Sequence, residues 1–161
     1  MMIIRNASMQ DLDIVTHVEA VCFPEAEAAS KKTMKDRLSV YPEYFWIIQD
    51  GETVIGFIDG PVVNQPAIID EMFANTSMHD KNGLYQSVFG LSVLPEYRKQ
   101  GYASKLMEAL IEDARKAGRK GCILTCKERL ISYYEKFGYR NQGVSKSEHG
   151  GAVWYDMLLE F

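Results

Sequence analysis

Three features of the chain predict an α/β fold of the α+β kind, in which helices flank one central, mixed and mostly antiparallel twisted sheet. An Asp50-Gly51 step sits between two β-rich runs, the sequence signal of a tight hairpin. A long helical pattern within residues 96–117, with Leu106, Leu110 and Ile111 on one face, lies between the strongest strand pattern, 85–93, and a short apolar run, 121–126. Two further β-rich runs close the chain around His149-Gly150-Gly151. The resulting order, β-α-α-β-β-β-α-β-α-β-β, lets every element bury one apolar face against a common sheet.

Taken in order, residues 2–5 form a short apolar edge strand. Ser8, with Asp11 three residues on, reads as a helix start, and Met9, Leu12, Val15, Val18 and Cys22 follow at helical spacing until Pro24 stops them. A second helix over 30–40 turns Met34 and Leu38 inward and its lysines outward. Strands over 44–49 and 53–58 flank the hairpin turn. Residues 61–82 are polar and irregular, a loop long enough to suggest function. Gly118 closes the long helix, Gly138 stops a short helix over 131–137, and 139–144 and 152–159 are the closing strands. No linker or internal repeat interrupts the pattern, so residues 1–161 read as a single domain.

Composition narrows the function. The chain is 47% hydrophobic and 25% charged, the balance of an ordinary globular protein. No apolar run approaches the ~20 residues that span a bilayer, and the first residues do not resemble a signal peptide; the expected location is the cytoplasm, with no membrane partner. Residues 1–80 hold 13 acids and 5 bases, whereas 81–161 hold 9 acids and 13 bases, for an overall charge of −4. Such asymmetry suits an enzyme that takes a cation on one side and a polyanion on the other. The acidic balance disfavours nucleic acid. Cys22, Cys122 and Cys126 make no disulfide framework, and with His17, His79 and His149 scattered no metal site is expected.

The stretch from Leu91-Ser92-Val93 through Arg98-Lys99-Gln100-Gly101-Tyr102-Ala103-Ser104 carries the chemistry. A strand ends and a helix begins, and the first turn of a helix offers amides without intrahelical partners at the positive end of its dipole. Anions bind there. Gly101 allows a phosphate close to the backbone, Ala103 keeps the next site small, and Arg98 and Lys99 add cationic donors. A dinucleotide fold would need Gly-x-Gly-x-x-Gly after an early strand, and a Walker loop would need Gly-Lys-Ser/Thr; neither is present.

Arg98-x-x-Gly101-x-Ala103 after a Leu-Ser-Val strand resembles the acetyl-CoA motif of the GNAT acetyltransferases. Ser132-Tyr133-Tyr134-Glu135-Lys136-Phe137-Gly138-Tyr139 resembles that family's later motif. Cys22-Phe23-Pro24-Glu25-Ala26-Glu27-Ala28 is similar to the arylalkylamine (serotonin) N-acetyltransferase-like branch, in which the segment after the first helix shapes the amine pocket. The resemblance implies acetyl-CoA held by residues 91–93 and 98–104, a strand splayed from its neighbour, Tyr134 as proton donor to the leaving thiolate, and Phe23, Pro24 and Glu27 against a small cationic amine. It leaves room for a homodimer. The chain departs from the branch where the vertebrate enzymes carry two histidines: Ser87 and Phe89 stand there.

The implied reaction is direct attack of a neutral amine on the thioester, with a backbone amide near 91–93 stabilising the oxyanion. For the proton acceptor, Glu25, Glu27, Asp70 and Glu71 are nominated from probable loops, each more often a solvated acid. His79 and His149 are expected exposed. Cys126 is a formal nucleophile, but an apolar strand favours inert packing. Acetylation of a protein N-terminus or lysine, and a non-catalytic acetyl-CoA-binding sensor, are the competing functions.

Overall fold

The computed structural model describes every residue from Met1 to Phe161. In chain order its elements are β1 (Met2–Asn6), α1 (Leu12–Cys22), α2 (Lys31–Val40), β2 (Phe45–Asp50), β3 (Thr53–Asp59), β4 (Val62–Val63), α3 (Glu71–Ala74), β5 (Tyr85–Val88), β6 (Gly90–Val93), α4 (Tyr102–Lys116), β7 (Gly121–Cys126), α5 (Ile131–Glu135), β8 (Arg140–Val144) and β9 (Tyr155–Glu160). They fall into two compact units, Met1–Gly60 with Gly90–Leu110, and Pro61–Phe89 with Ile111–Phe161.

In the first unit the sheet order is β1-β2-β3-β6, antiparallel throughout. Gly51 takes the left-handed conformation (φ 57°) that the β2–β3 turn requires. The Ser8 amide donates to Asp11 Oδ2 at 2.8 Å, and Arg5 clamps the same carboxylate at 2.8 and 2.9 Å, which fixes the entry to α1. Ser30 caps α2, its hydroxyl oxygen accepting from the Thr33 amide at 3.2 Å. Val15 and Val18 of α1, Met34 and Leu38 of α2, and Phe45, Ile47 and Phe57 of the sheet form the core. Met9, grouped by spacing with the residues of α1, lies in a separate single turn ahead of that helix and is 41% exposed.

The second unit holds the order β4-β5-β7-β9-β8, in which only β5 and β7 run parallel. Its core gathers Val63, Ile68, Met72 and Ile123. The mixed, mostly antiparallel arrangement agrees with expectation, but the single central sheet does not: there are two. The strand expected over 85–93 breaks at Phe89, so β5 pairs with β4 and β7 while β6 pairs with β3. Close packing marks the break. A Cβ on Gly90 would lie 2.9 Å from Asp59 Oδ1 and 3.2 Å from the Phe57 ring, an approach that only glycine allows. Within the segment read as irregular, 61–82, the chain makes β4 and the one-turn α3.

Candidate cofactor and acyl-transfer site

Strand β6 is the edge of its sheet, hydrogen-bonded to β3 along one side and paired with no strand along the other. Leu91 is half-buried, and Ser92 and Val93 are buried. The Ser92 hydroxyl is buried without a hydrogen-bond partner. The strand's end is held firmly: Val93 O accepts from Arg98 Nε at 2.9 Å and from Cys22 Sγ at 3.4 Å, and the Leu94 amide donates to Ile55 O at 2.9 Å. Arg98 therefore serves the backbone through Nε.

Beyond it the chain turns through two left-handed residues, Lys99 (φ 64°) and Gly101 (φ 84°), before α4 starts. A non-glycine residue there is uncommon and costs about 1–2 kcal/mol. Alternation of this kind turns successive amides toward one concavity, an anion-binding nest. The Lys105 amide donates to Gly101 O at 3.1 Å, so the amides of Tyr102, Ala103 and Ser104 have no intrahelical acceptor. A Cβ on Gly101 would meet no atom within 4 Å. Arg98, Lys99, Gln100 and Gly101 are exposed, and Tyr102, Ala103 and Ser104 half-buried. Lys105 Nζ lies 5.9 Å above the Tyr102 ring.

The segment after α1 is a tight turn. Amides of Glu27 and Ala28 both donate to Pro24 O at 2.9 Å, and Phe23 and Glu27 are half-buried while Pro24 and Glu25 are exposed. Its far end is tied to a residue that sequence reasoning did not nominate. The Ala29 amide donates to Glu19 Oε2 at 2.9 Å. Glu19 is 5% exposed and its Oε1 has no hydrogen-bond partner. Around it lies a buried polar cluster: Asp59 accepts from the Tyr41 hydroxyl at 2.9 Å and from Arg37 Nη1 at 3.4 Å. Burial, reinforced by the Asp59 charge, pushes Glu19 up to about 7. One clue was available: Glu19 follows Val15 by four residues and Val18 by one, an acid on the apolar face of its helix.

In the second unit Tyr134 stands on α5, half-buried, its ring 5.2 Å edge-on from Tyr133 and 6.1 Å from Tyr139. Burial raises its phenol well above the ordinary value, so it is a proton carrier rather than a phenolate at neutral pH. Burial likewise raises the Cys126 thiol to about 11 and Cys122 to about 12. At the positions of the branch's histidines, the Ser87 hydroxyl donates to Pro61 O at 2.5 Å, and the Phe89 ring packs 4.7 Å from Phe73. The two histidines expected to be exposed are half-buried. His79 Nδ1 accepts from the Val62 amide at 3.0 Å, and His149 stacks on Phe73 at 4.6 Å. Asp70, read as a solvated acid, is exposed and also anchors the turn before β9 by accepting from the Ser147 hydroxyl and, at 3.0 Å, from the Glu148 amide. Glu71 is exposed.

The sequence pattern of the acetyltransferase (GNAT) family matches residues 12–139. The chain belongs to that family. Two curated relatives are 25% identical: the probable hydrolase YhcX of Bacillus subtilis, over 99% of this chain, and human N-acetyltransferase 8, over 69%. The chain spans 32% and 44% of the length of these two relatives. Among solved structures, the loading GNATL domain of CurA from Lyngbya majuscula superposes with a TM-score of 0.86 at 13% identity, covering 99% of this chain and 98% of that one. The ribosomal-protein-S18-alanine N-acetyltransferase of Escherichia coli gives 0.74 at 19%, covering 99% and 94%. These likenesses establish the GNAT fold. Acetyl-CoA is the acyl donor of the family, and the free amides at the start of α4, the open space at Gly101 and the free edge of β6 fit its phosphates and its amide-bearing arm. No group of three or more His, Cys, Asp or Glu side chains is placed to hold a metal, and no helix is long and apolar enough to cross a membrane.

Proposed function

We propose that this protein is an N-acetyltransferase that moves the acetyl group of acetyl-CoA directly to the primary amine of a small cationic acceptor of the arylalkylamine kind, within one domain, 1–161, in the cytoplasm. The observation that carries the reading is the left-handed turn at Lys99 and Gly101 opening α4, directly after an edge strand. In this reading the amides of 101–104 hold the pyrophosphate, Arg98 braces the turn against Val93, and the free edge of Leu91–Ser92–Val93 pairs with the donor's arm and supplies the oxyanion amide. Lys99 and Gln100 flank the phosphates. Tyr134 is assigned the proton for the leaving thiolate, on its place in the Tyr134…Phe137-Gly138-Tyr139 motif. Phe23, Pro24 and Glu27 shape the acceptor site, Glu27 meeting the cation. The buried, neutral thiols support direct transfer over an acetyl-cysteine.

Protein acetylation is the second reading. Its support is the likeness to the S18-alanine enzyme, which is one of fold. Thiol release from acetyl-CoA with a panel of arylalkylamines, polyamines, acidic amino acids and peptides decides between them. Arylalkylamines are expected to lead. Peptides in first place would establish the second reading, and acetyl-CoA binding without release from any acceptor would make the protein a sensor.

A further inference from the structure

The acceptor's nitrogen arrives as an ammonium and must lose a proton before it can attack. Glu19 is a buried carboxyl with one oxygen committed to the Ala29 amide and the other unpartnered. That free Oε1 would stand 3.6 Å from a Cβ on Gly90, the first residue of β6, whose next three residues carry the donor in the reading above. One carboxyl thus binds the end of the acceptor segment and lies beside the head of the donor strand. We propose that Glu19 is the proton acceptor of the acetyl transfer, taking a proton from the acceptor ammonium at Oε1.

The step balances. The ammonium N–H bond breaks, the proton goes to Glu19 and the pair stays on nitrogen. The neutral amine forms the C–N bond as the C–S bond breaks, the thiolate is protonated, and Glu19 later returns its proton to solvent. Of the elements packed on α1, α2 turns Arg37 toward Glu19, with Tyr41 following it, and β3 turns Asp59. The turn before α1 holds Asp11, already engaged by Arg5. From β6, Gly90 presents backbone only. Arg37 and Tyr41 both hydrogen-bond Asp59, and the Arg37 charge acts on Glu19 through space, against the effect of burial. Its shift toward neutrality leaves it able both to take and to release a proton at working pH.

This inference rests on the acetyltransferase reading. The test is Glu19→Gln in the full chain, with Glu19→Asp as the conservative variant. Steady-state rates are measured from pH 5.5 to 9 with two acceptors: 2-phenylethylamine, an ammonium at neutral pH, and phenylhydrazine, already neutral there. Wild type is expected to show an acid limb in kcat/KM near pH 7. Glu19→Gln is expected to lose that limb and at least ~100-fold in rate with 2-phenylethylamine, less than about tenfold with phenylhydrazine, and no more than twofold in acetyl-CoA affinity. Glu19→Asp is expected to recover part of the rate. Equal losses with both acceptors, or an acid limb that survives in Glu19→Gln, would overturn the role of Glu19 while the acetyltransferase reading stands. No turnover of any amine by the wild type would overturn both.

Discussion

The buried carboxyl of Glu19 makes a strong prediction about stability that is independent of turnover. The perturbation is Glu19→Gln, which keeps the side chain's shape and an acceptor for the Ala29 amide but removes the need to bury a charge. Burial raises this carboxyl from 4.5 to about 7, which corresponds to about 3 kcal/mol between its two protonation states. The sign follows from the folded pKa lying above the unfolded one. The contribution of the neutral acid is complete below about pH 4.5 and is lost as pH rises through about 7, because the folded state must then hold a desolvated carboxylate. Wild-type stability should therefore fall by about 2–3 kcal/mol from pH 5 to pH 8 relative to the variant. The assay is urea unfolding of both proteins, followed by circular dichroism, at unit steps from pH 5 to pH 8. At pH 5 the two should be nearly equal; at pH 8 the variant should be the more stable. Parallel curves across the range would show that Glu19 titrates normally and would refute the account of the cluster.

Four further expectations follow from the geometry. Gly101→Asp should weaken acetyl-CoA binding at least tenfold by calorimetry, since the carboxylate would occupy and repel the phosphate position, whereas Gly101→Ala, which meets no atom but keeps φ at 84°, should cost only about 1 kcal/mol of stability; unchanged affinity in Gly101→Asp would place the phosphates elsewhere. Tyr134→Phe should lower kcat by roughly 10- to 1,000-fold with acetyl-CoA affinity preserved, and Tyr133→Phe far less; equal small effects would reduce Tyr134 to a packing residue. Cys126→Ser and Cys122→Ser should each keep most activity, because thiols raised to about 11 and about 12 are protonated at neutral pH, and an isolable acetyl-enzyme formed from acetyl-CoA alone would sink the direct route. Gly121→Ala should destabilise by about 2 kcal/mol or more in the same unfolding assay, since its Cβ would overlap the Leu159 carbonyl oxygen in the adjacent strand; a wild-type midpoint would disprove that packing.

What the sequence determined by itself is what short-range physics controls. The Asp-Gly turn, the Pro24 stop and the run 121–126 each depend on neighbours within a turn or a strand, and the structure places elements where those signals stand. The start of α4 was legible for the same reason, because the amides, Gly101 and Arg98 lie within one short stretch, although the helix itself begins only at Tyr102 after the two left-handed residues. The structure alone decided what distant residues do together. Glu19, Arg37 and Asp59 come from α1, α2 and β3, and nothing in their spacing says that one cation and two acids will be buried near one another. His79 reads as a surface group until the backbone amide of Val62 is brought to it, and the exposed Asp70 gains its role only when the Glu148 amide reaches it. The break at Phe89 is of the same kind. Local β-propensity runs unbroken from 85 to 93, and it is the close approach of Gly90 to Asp59 and Phe57, residues some thirty positions earlier in the chain, that accompanies the change of strand partners. Propensity is summed along the chain, whereas desolvation and strand pairing depend on which surfaces meet, and a proton acceptor created by burial exists only once they have met.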